Sequence, residues 1–129
     1  MGPTGEKYMP DTITSTAEVA TERAARYGKQ LASHLGHRLE TQWDDDAGSG
    51  TITFAEGHCR LDATGTALSL RIGLDAPVEP DSAGAVLDRM EDVVGRHLAR
   101  FGSRDELVVA WQRSDGSPAS RQVSTGAAE

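Results

Sequence analysis

Four histidines and one cysteine are the side chains of this chain best suited to hold a metal or move a proton: His34, His37, His58, His97 and Cys59. Imidazole nitrogen and thiolate sulfur together suit zinc, copper or iron. The spacing alone does not build such a site. His34 and His37 form a His-x-x-His, but Gly36 lies between them. A left-handed glycine there would end a helix and carry His37 off the helical face. The metalloprotease pattern His-Glu-x-x-His is absent. As a nucleophile, Cys59 would need a neighbouring base and an exposed cleft. Asp44, Asp45 and Asp46 lack the spaced ligands of a calcium loop and read as a solvated hairpin turn. Gly48-Ser49-Gly50 joins strand to strand, so it is no phosphate-binding loop. Arg96, Arg100 and Arg104, beside Asp88, Glu91 and Asp92, read as solvated intrahelical pairs.

The elements that must position these groups can be read from the periodicity of apolar residues. Ala17 and Val19 alternate in a strand over 15–20, and Thr21 is a good N-cap for a helix after it. Ala24, Gly28, Leu31 and Leu35 recur at helical spacing, giving a helix over about 22–35 with His34 in its last turn. Four strands come next, carrying Leu39, Thr41 and Trp43, then Ile52 and Phe54, then Cys59 and Leu61, then Leu68, Leu70 and Ile72. Residues 75–82 are rich in breakers. A second helix over about 83–101 places His97 within a stripe of Val86, Met90, Val93, Val94 and Phe101. Leu107, Val109 and Trp111 form a last strand. Residues 1–14 read as a loose arm, 15–112 as a single domain, and 113–129 as a disordered tail.

The order β-α-β-β-β-β-α-β predicts an α+β fold, a two-layer sandwich with a largely antiparallel sheet and both helices on one face. By analogy of order it is TATA-binding-protein-like. In that arrangement His34, Cys59 and His97 share the helix–sheet interface. The simplest role for a half-apolar histidine such as His97 is to donate to a backbone carbonyl. His58 falls on the face opposite Cys59.

Composition narrows the classes of function. The chain has 129 residues, enough for one domain, and 37% are hydrophobic. Thirteen Lys and Arg against 20 Asp and Glu give a net charge of −7, which repels nucleic acid and anionic membranes. A lone cysteine forms no internal disulfide and fits a reducing compartment. No run reaches the length of a membrane span and no apolar leader precedes residue 15. A cytoplasmic location is the expectation.

Three blocks of residues carry a family resemblance: Tyr27, Leu31, His34 and His37-Arg38, then Gly57-His58-Cys59-Arg60-Leu61, and lastly His97-Leu98-Ala99-Arg100-Phe101 with Arg104-Asp105-Glu106-Leu107 and Trp111. In this order they resemble the bacterial family called domain of unknown function 2218, over about 15–112. Arg38 stands where the family pattern has lysine, and Gly102-Ser103 where it has bulkier residues. The resemblance implies a small bacterial protein without an assigned activity, linked in some cases to siderophore-interacting flavin reductases. It therefore raises a metal or iron-related role for His34, Cys59 and His97, with His37 at the mouth of the site.

The leading expectation is a non-enzymatic module that binds a small molecule or a metal (Fe, Zn or Cu), with His34, Cys59 and His97 as metal ligands. His37, Arg100 and Trp111 are the further ligand-binding candidates. One alternative is a small enzyme using Cys59 or a histidine. Another is an accessory partner of a flavin-dependent ferric-siderophore reductase, docking through Trp111, Phe101 and Arg100.

Overall fold

Alternation of buried and exposed side chains sets the sheet. In β1, Ser15–Ala20, the side chains of Ser15, Ala17 and Val19 point inward and Thr16, Glu18 and Ala20 outward. The computed structural model describes residues 13–75, 80–101 and 107–123. After β1 come α1 (Ala24–Leu35), β2 (Glu40–Asp44), β3 (Ser49–Thr53), β4 (Gly57–Ala63) and β5 (Ala67–Leu74). The chain continues with α2 (Pro80–Phe101), β6 (Val108–Ala110), β7 (Gln112–Arg113) and β8 (Arg121–Val123). Six strands form one antiparallel sheet in the order β2-β3-β4-β5-β1-β7, and β6 with β8 makes a separate antiparallel ribbon.

This is the expected α+β sandwich, with its core between one sheet face and two helices. Cys59 stands between Ile52 and Ile72 in register, and Leu61 faces Leu70, all inward. The outer face carries Thr16, Thr51, Arg60, Arg71 and Gln112. From α1, Ala24, Tyr27, Gly28, Leu31, Ala32 and Leu35 pack down. Gly28 is required by closeness, because a Cβ there would lie 2.7 Å from the Trp43 ring. From α2, Leu87, Met90, Val94 and Leu98 are fully buried. Each such side chain contributes roughly 1.5–3 kcal/mol of transfer free energy.

Local details depart from the sequence reading. The first helix begins at Ala24, and its N-cap, Arg23, makes no side-chain cap bond. Thr21 instead accepts the Arg23 N–H on its hydroxyl at 3.0 Å, a turn just ahead of the helix. The second helix starts at Pro80, three residues earlier than expected, since proline's fixed φ suits a first turn. The expected last strand is broken at Trp111, so that β6 joins the ribbon and β7 joins β1.

The largest difference from the sequence reading concerns residues 113–123. Residues 113–123 are ordered against the domain, while 124–129 lie outside the described residues, as do 1–12 of the arm. The spacing of α2 suggests a solvated face for Glu91, yet its side chain has 0% exposure. Arg113, 4% exposed, donates from Nε to Glu91 Oε2 at 2.9 Å and from Nη2 to Oε1 at 3.1 Å. The Ser15 hydroxyl donates to Oε2 at 2.6 Å, and the Ser120 N–H and hydroxyl to Oε1 at 3.0 and 2.8 Å. Arg113 also pairs with Asp88. Beyond Ser120, Gln122 lies over Gly95, where a Cβ would overlap its carboxamide, and accepts the Trp111 indole N–H at 2.7 Å. A polar segment without an apolar stripe is thus held by a buried carboxylate, by the Trp111–Gln122 bond and by the β6–β8 pairing, contacts that periodicity does not register.

Burial alone would raise the pKa of Glu91, but the hydrogen bonds from Arg113, Ser15 and Ser120 outweigh it and hold the carboxyl below its ordinary range. Its contribution to stability is therefore present above the ordinary glutamate value of about 4.3 and is lost as pH falls below it. Urea denaturation followed through acid should show that loss in the wild type and a flatter profile in Glu91→Gln. Glu91→Ala strands a buried guanidinium and should cost about 3–5 kcal/mol at neutral pH. Truncation after Arg113 should also lower the urea midpoint, whereas a disordered tail could be removed without effect.

Candidate functional site

Gly36 does not stop the chain in the way the spacing suggested. Its φ is −64°, in the right-handed region, and the backbone keeps winding. Gly36 N–H donates to Ala32 O, His37 N–H to His34 O and Arg38 N–H to Leu35 O. These last two bonds are of the tighter i→i+3 kind, which superposes residues three apart. His37 therefore comes back over His34, with ring centres 6.3 Å apart.

The second helix brings the third imidazole. His97 is half-buried and stands 5.1 Å from His34, ring centre to ring centre, with the planes tilted by 44°. Its Nδ1 donates to Val93 O at 2.7 Å, the backbone bond expected for it. A carbonyl only accepts, so Nδ1 carries the proton, and in the neutral form of the ring the lone pair lies on Nε2. Phe101 meets His34 edge-on at 5.3 Å.

These rings open onto a groove of about 610 Å³ between the end of α1 and α2. Leu35, Leu39, Phe54 and Val93 give it apolar walls, and Arg38, Arg89 and Arg96 give it positive charge. Arg89 is paired with Glu56, and Arg96 with Asp92 at 3.5 Å. Arg38 is exposed and has no ion pair among the described residues. The groove can therefore seat an anion on Arg38, with an apolar body against the walls.

Sequence reasoning found the three histidines but missed the arginines and Phe54 as their neighbours. The signal existed, since Arg89, Val93, Arg96 and His97 fall at i, i+4, i+7 and i+8 on one helical face. What hid it was that Phe54 and Arg38 arrive from separate elements.

The other candidates lie elsewhere. Cys59 is fully buried in the core and does not line the groove, so it is not brought to His34 and His97. Among the described residues, no group of three or more His, Cys, Asp and Glu side chains is arranged to hold a metal ion. Burial pushes the Cys59 thiol up to about 12, against a small opposing effect of a backbone hydrogen bond at Arg71. A buried thiol held protonated in this way is a poor nucleophile at neutral pH. Trp111 is buried under the tail with its indole N–H engaged, and Arg100 is exposed on α2 outside the groove lining. His58 sits on the outer sheet face with Nδ1 2.8 Å from Asp75 Oδ1. Arg104 lies outside the described residues.

The model of an uncharacterised protein family conserved in bacteria, DUF2218, matches residues 16–112. The chain belongs to this family. Its matched span includes α1, the turn at Gly36, β2 to β5 and α2. A solved structure, the NMR structure of PA4090 from Pseudomonas aeruginosa, is 33% identical, with a TM-score of 0.58. The match covers 78% of this chain and 95% of that one. A search of the curated proteins finds no match. Among the described residues, no helix is long and apolar enough to cross a membrane.

Native protein should leave Cys59 unmodified by a thiol-reactive disulfide reagent, with full reaction only after denaturant is added. Rapid labelling of the folded protein would contradict the burial of Cys59 beneath the helices.

Proposed function

We propose that this DUF2218 protein is a non-enzymatic binding module whose groove takes a small anionic molecule with an apolar or aromatic body. The observation that carries this is the meeting of Arg38, His34, His37 and His97 over the apolar walls of Phe54, Leu39 and Val93. Clefts of this kind, mostly apolar with a few convergent polar groups, are where small ligands bind. An unpaired guanidinium offers a fork for a carboxylate, and Phe54 offers a surface for a ring. The burial of Cys59 argues against the cysteine form of an enzyme, and that of Trp111 against its use in docking a reductase. An aromatic acid, or the anionic chelate of a metal by such acids, matches the groove's chemistry. The latter is the form in which a link to iron and siderophore metabolism would be expressed.

Calorimetric titration with benzoate, dihydroxybenzoate and inorganic phosphate, each with and without ferric ion, tests this reading. The aromatic acids should bind more tightly than phosphate. Arg38→Ala, at an exposed position, should weaken them by about tenfold while leaving the thermal midpoint within a degree or two, since charge-assisted bonds contribute roughly 1.5–3 kcal/mol. Equal binding by Arg38→Ala and wild type would remove the groove from consideration.

A further inference from the structure

We infer that His34 and His97 form a two-histidine clamp for a divalent transition-metal ion, open on the groove side. This rests on the reading of the groove as the ligand site and names the inorganic group its imidazoles accept. The first support is distance. An imidazole nitrogen binds such an ion at about 2.0–2.1 Å, which puts the ring centre about 3.2 Å from the metal. Two rings on one ion then stand roughly 4.5–6.5 Å apart, for angles at the metal from 90° to nearly straight. His34 and His97 are separated by 5.1 Å, within this range.

The second support is the state of the His97 ring. Metal-bound histidines characteristically donate their other N–H to a carbonyl or carboxylate, which fixes the tautomer and orients the lone pair. The bond from His97 Nδ1 to Val93 O at 2.7 Å does this from within the same helix. His34 is held differently, by the edge-on contact with Phe101 at 5.3 Å, and remains exposed. One ring is therefore pre-set and the other is free to turn a short way onto the ion.

Two imidazoles are too few for a closed structural site, which takes four protein ligands. The positions left over face the groove, where water or the oxygens of a carboxylate on Arg38 complete the shell. Imidazole ligands favour zinc, copper, nickel and iron over magnesium or calcium. Cys59 plays no part, being buried in the core away from the groove lining.

Titration of the full-length protein with Zn²⁺, Ni²⁺ and Mg²⁺ salts, by calorimetry and by proton NMR with paramagnetic Ni²⁺, tests the clamp. Expected are one saturable site for Zn²⁺ and Ni²⁺, none for Mg²⁺, and selective broadening of the His34 and His97 ring protons. His34→Ala and His97→Gln should each weaken binding by roughly tenfold or more, and His58→Ala should not. His34→Ala changes an exposed residue and so keeps the test open even if His97→Gln disturbs the helix. Broadening centred on His58, absence of a saturable site, or full binding by His34→Ala would overturn the clamp. Dihydroxybenzoate binding that needs Arg38 without any metal site would sink the clamp and leave the groove standing. A metal site in a protein that binds no aromatic acid would do the reverse.

Discussion

The buried carboxylate of Glu91 is the interaction on which the arrangement of this molecule turns. It receives the guanidinium of Arg113, the hydroxyl of Ser15, and both the N–H and hydroxyl of Ser120. It thereby ties α2 to β1, to β7 and to the chain beyond. Removing two charges from water costs several kcal/mol per ion, and only a full set of hydrogen bonds offsets it. Here every buried side-chain polar atom among the described residues has a partner.

The consequence for the site is rotational. With about 100° of turn per residue, Arg89, Val93, Arg96 and His97 project roughly 120–160° away from Glu91 around the helix. Anchoring Glu91 on the β7 side therefore fixes the roll of α2 and sends the other set toward the end of α1. Core residues alone would tolerate some rotation, since Leu, Met and Val repack with modest cost. A bidentate ion pair does not, because its geometry is specific. The position of His97 against His34 thus depends on a contact on the far side of the helix.

The sheet, both helices and the inward strand residues were legible in the sequence because period two and period 3.6 are properties of single elements. Ser15–Ala20 and the run Leu68, Leu70 and Ile72 show it directly. The site was legible only in part. His97 stood out as an imidazole on an apolar stripe and His34 as one at a stripe's edge, but their company depends on the roll of α2 and on the winding through Gly36. The residues 113–123 were opaque for a different reason. Their order comes from Ser120 and Gln122 reaching buried polar partners, and polar side chains of this kind look alike whether solvated or buried. Cys59 is the converse case, a chemically distinctive residue that lies buried in the core, where a free cysteine packs as a small apolar side chain.

If the groove between the end of α1 and α2 is where this protein meets its ligand, the backbone around it must respond when a ligand enters. Backbone amide shifts in a two-dimensional NMR titration with dihydroxybenzoate test this most directly. Saturable shifts confined to residues 34–39, Phe54 and 89–97 are the expected result. Shifts centred on the outer sheet face, around Arg60 and Arg71, or no saturable shifts at all, would contradict it.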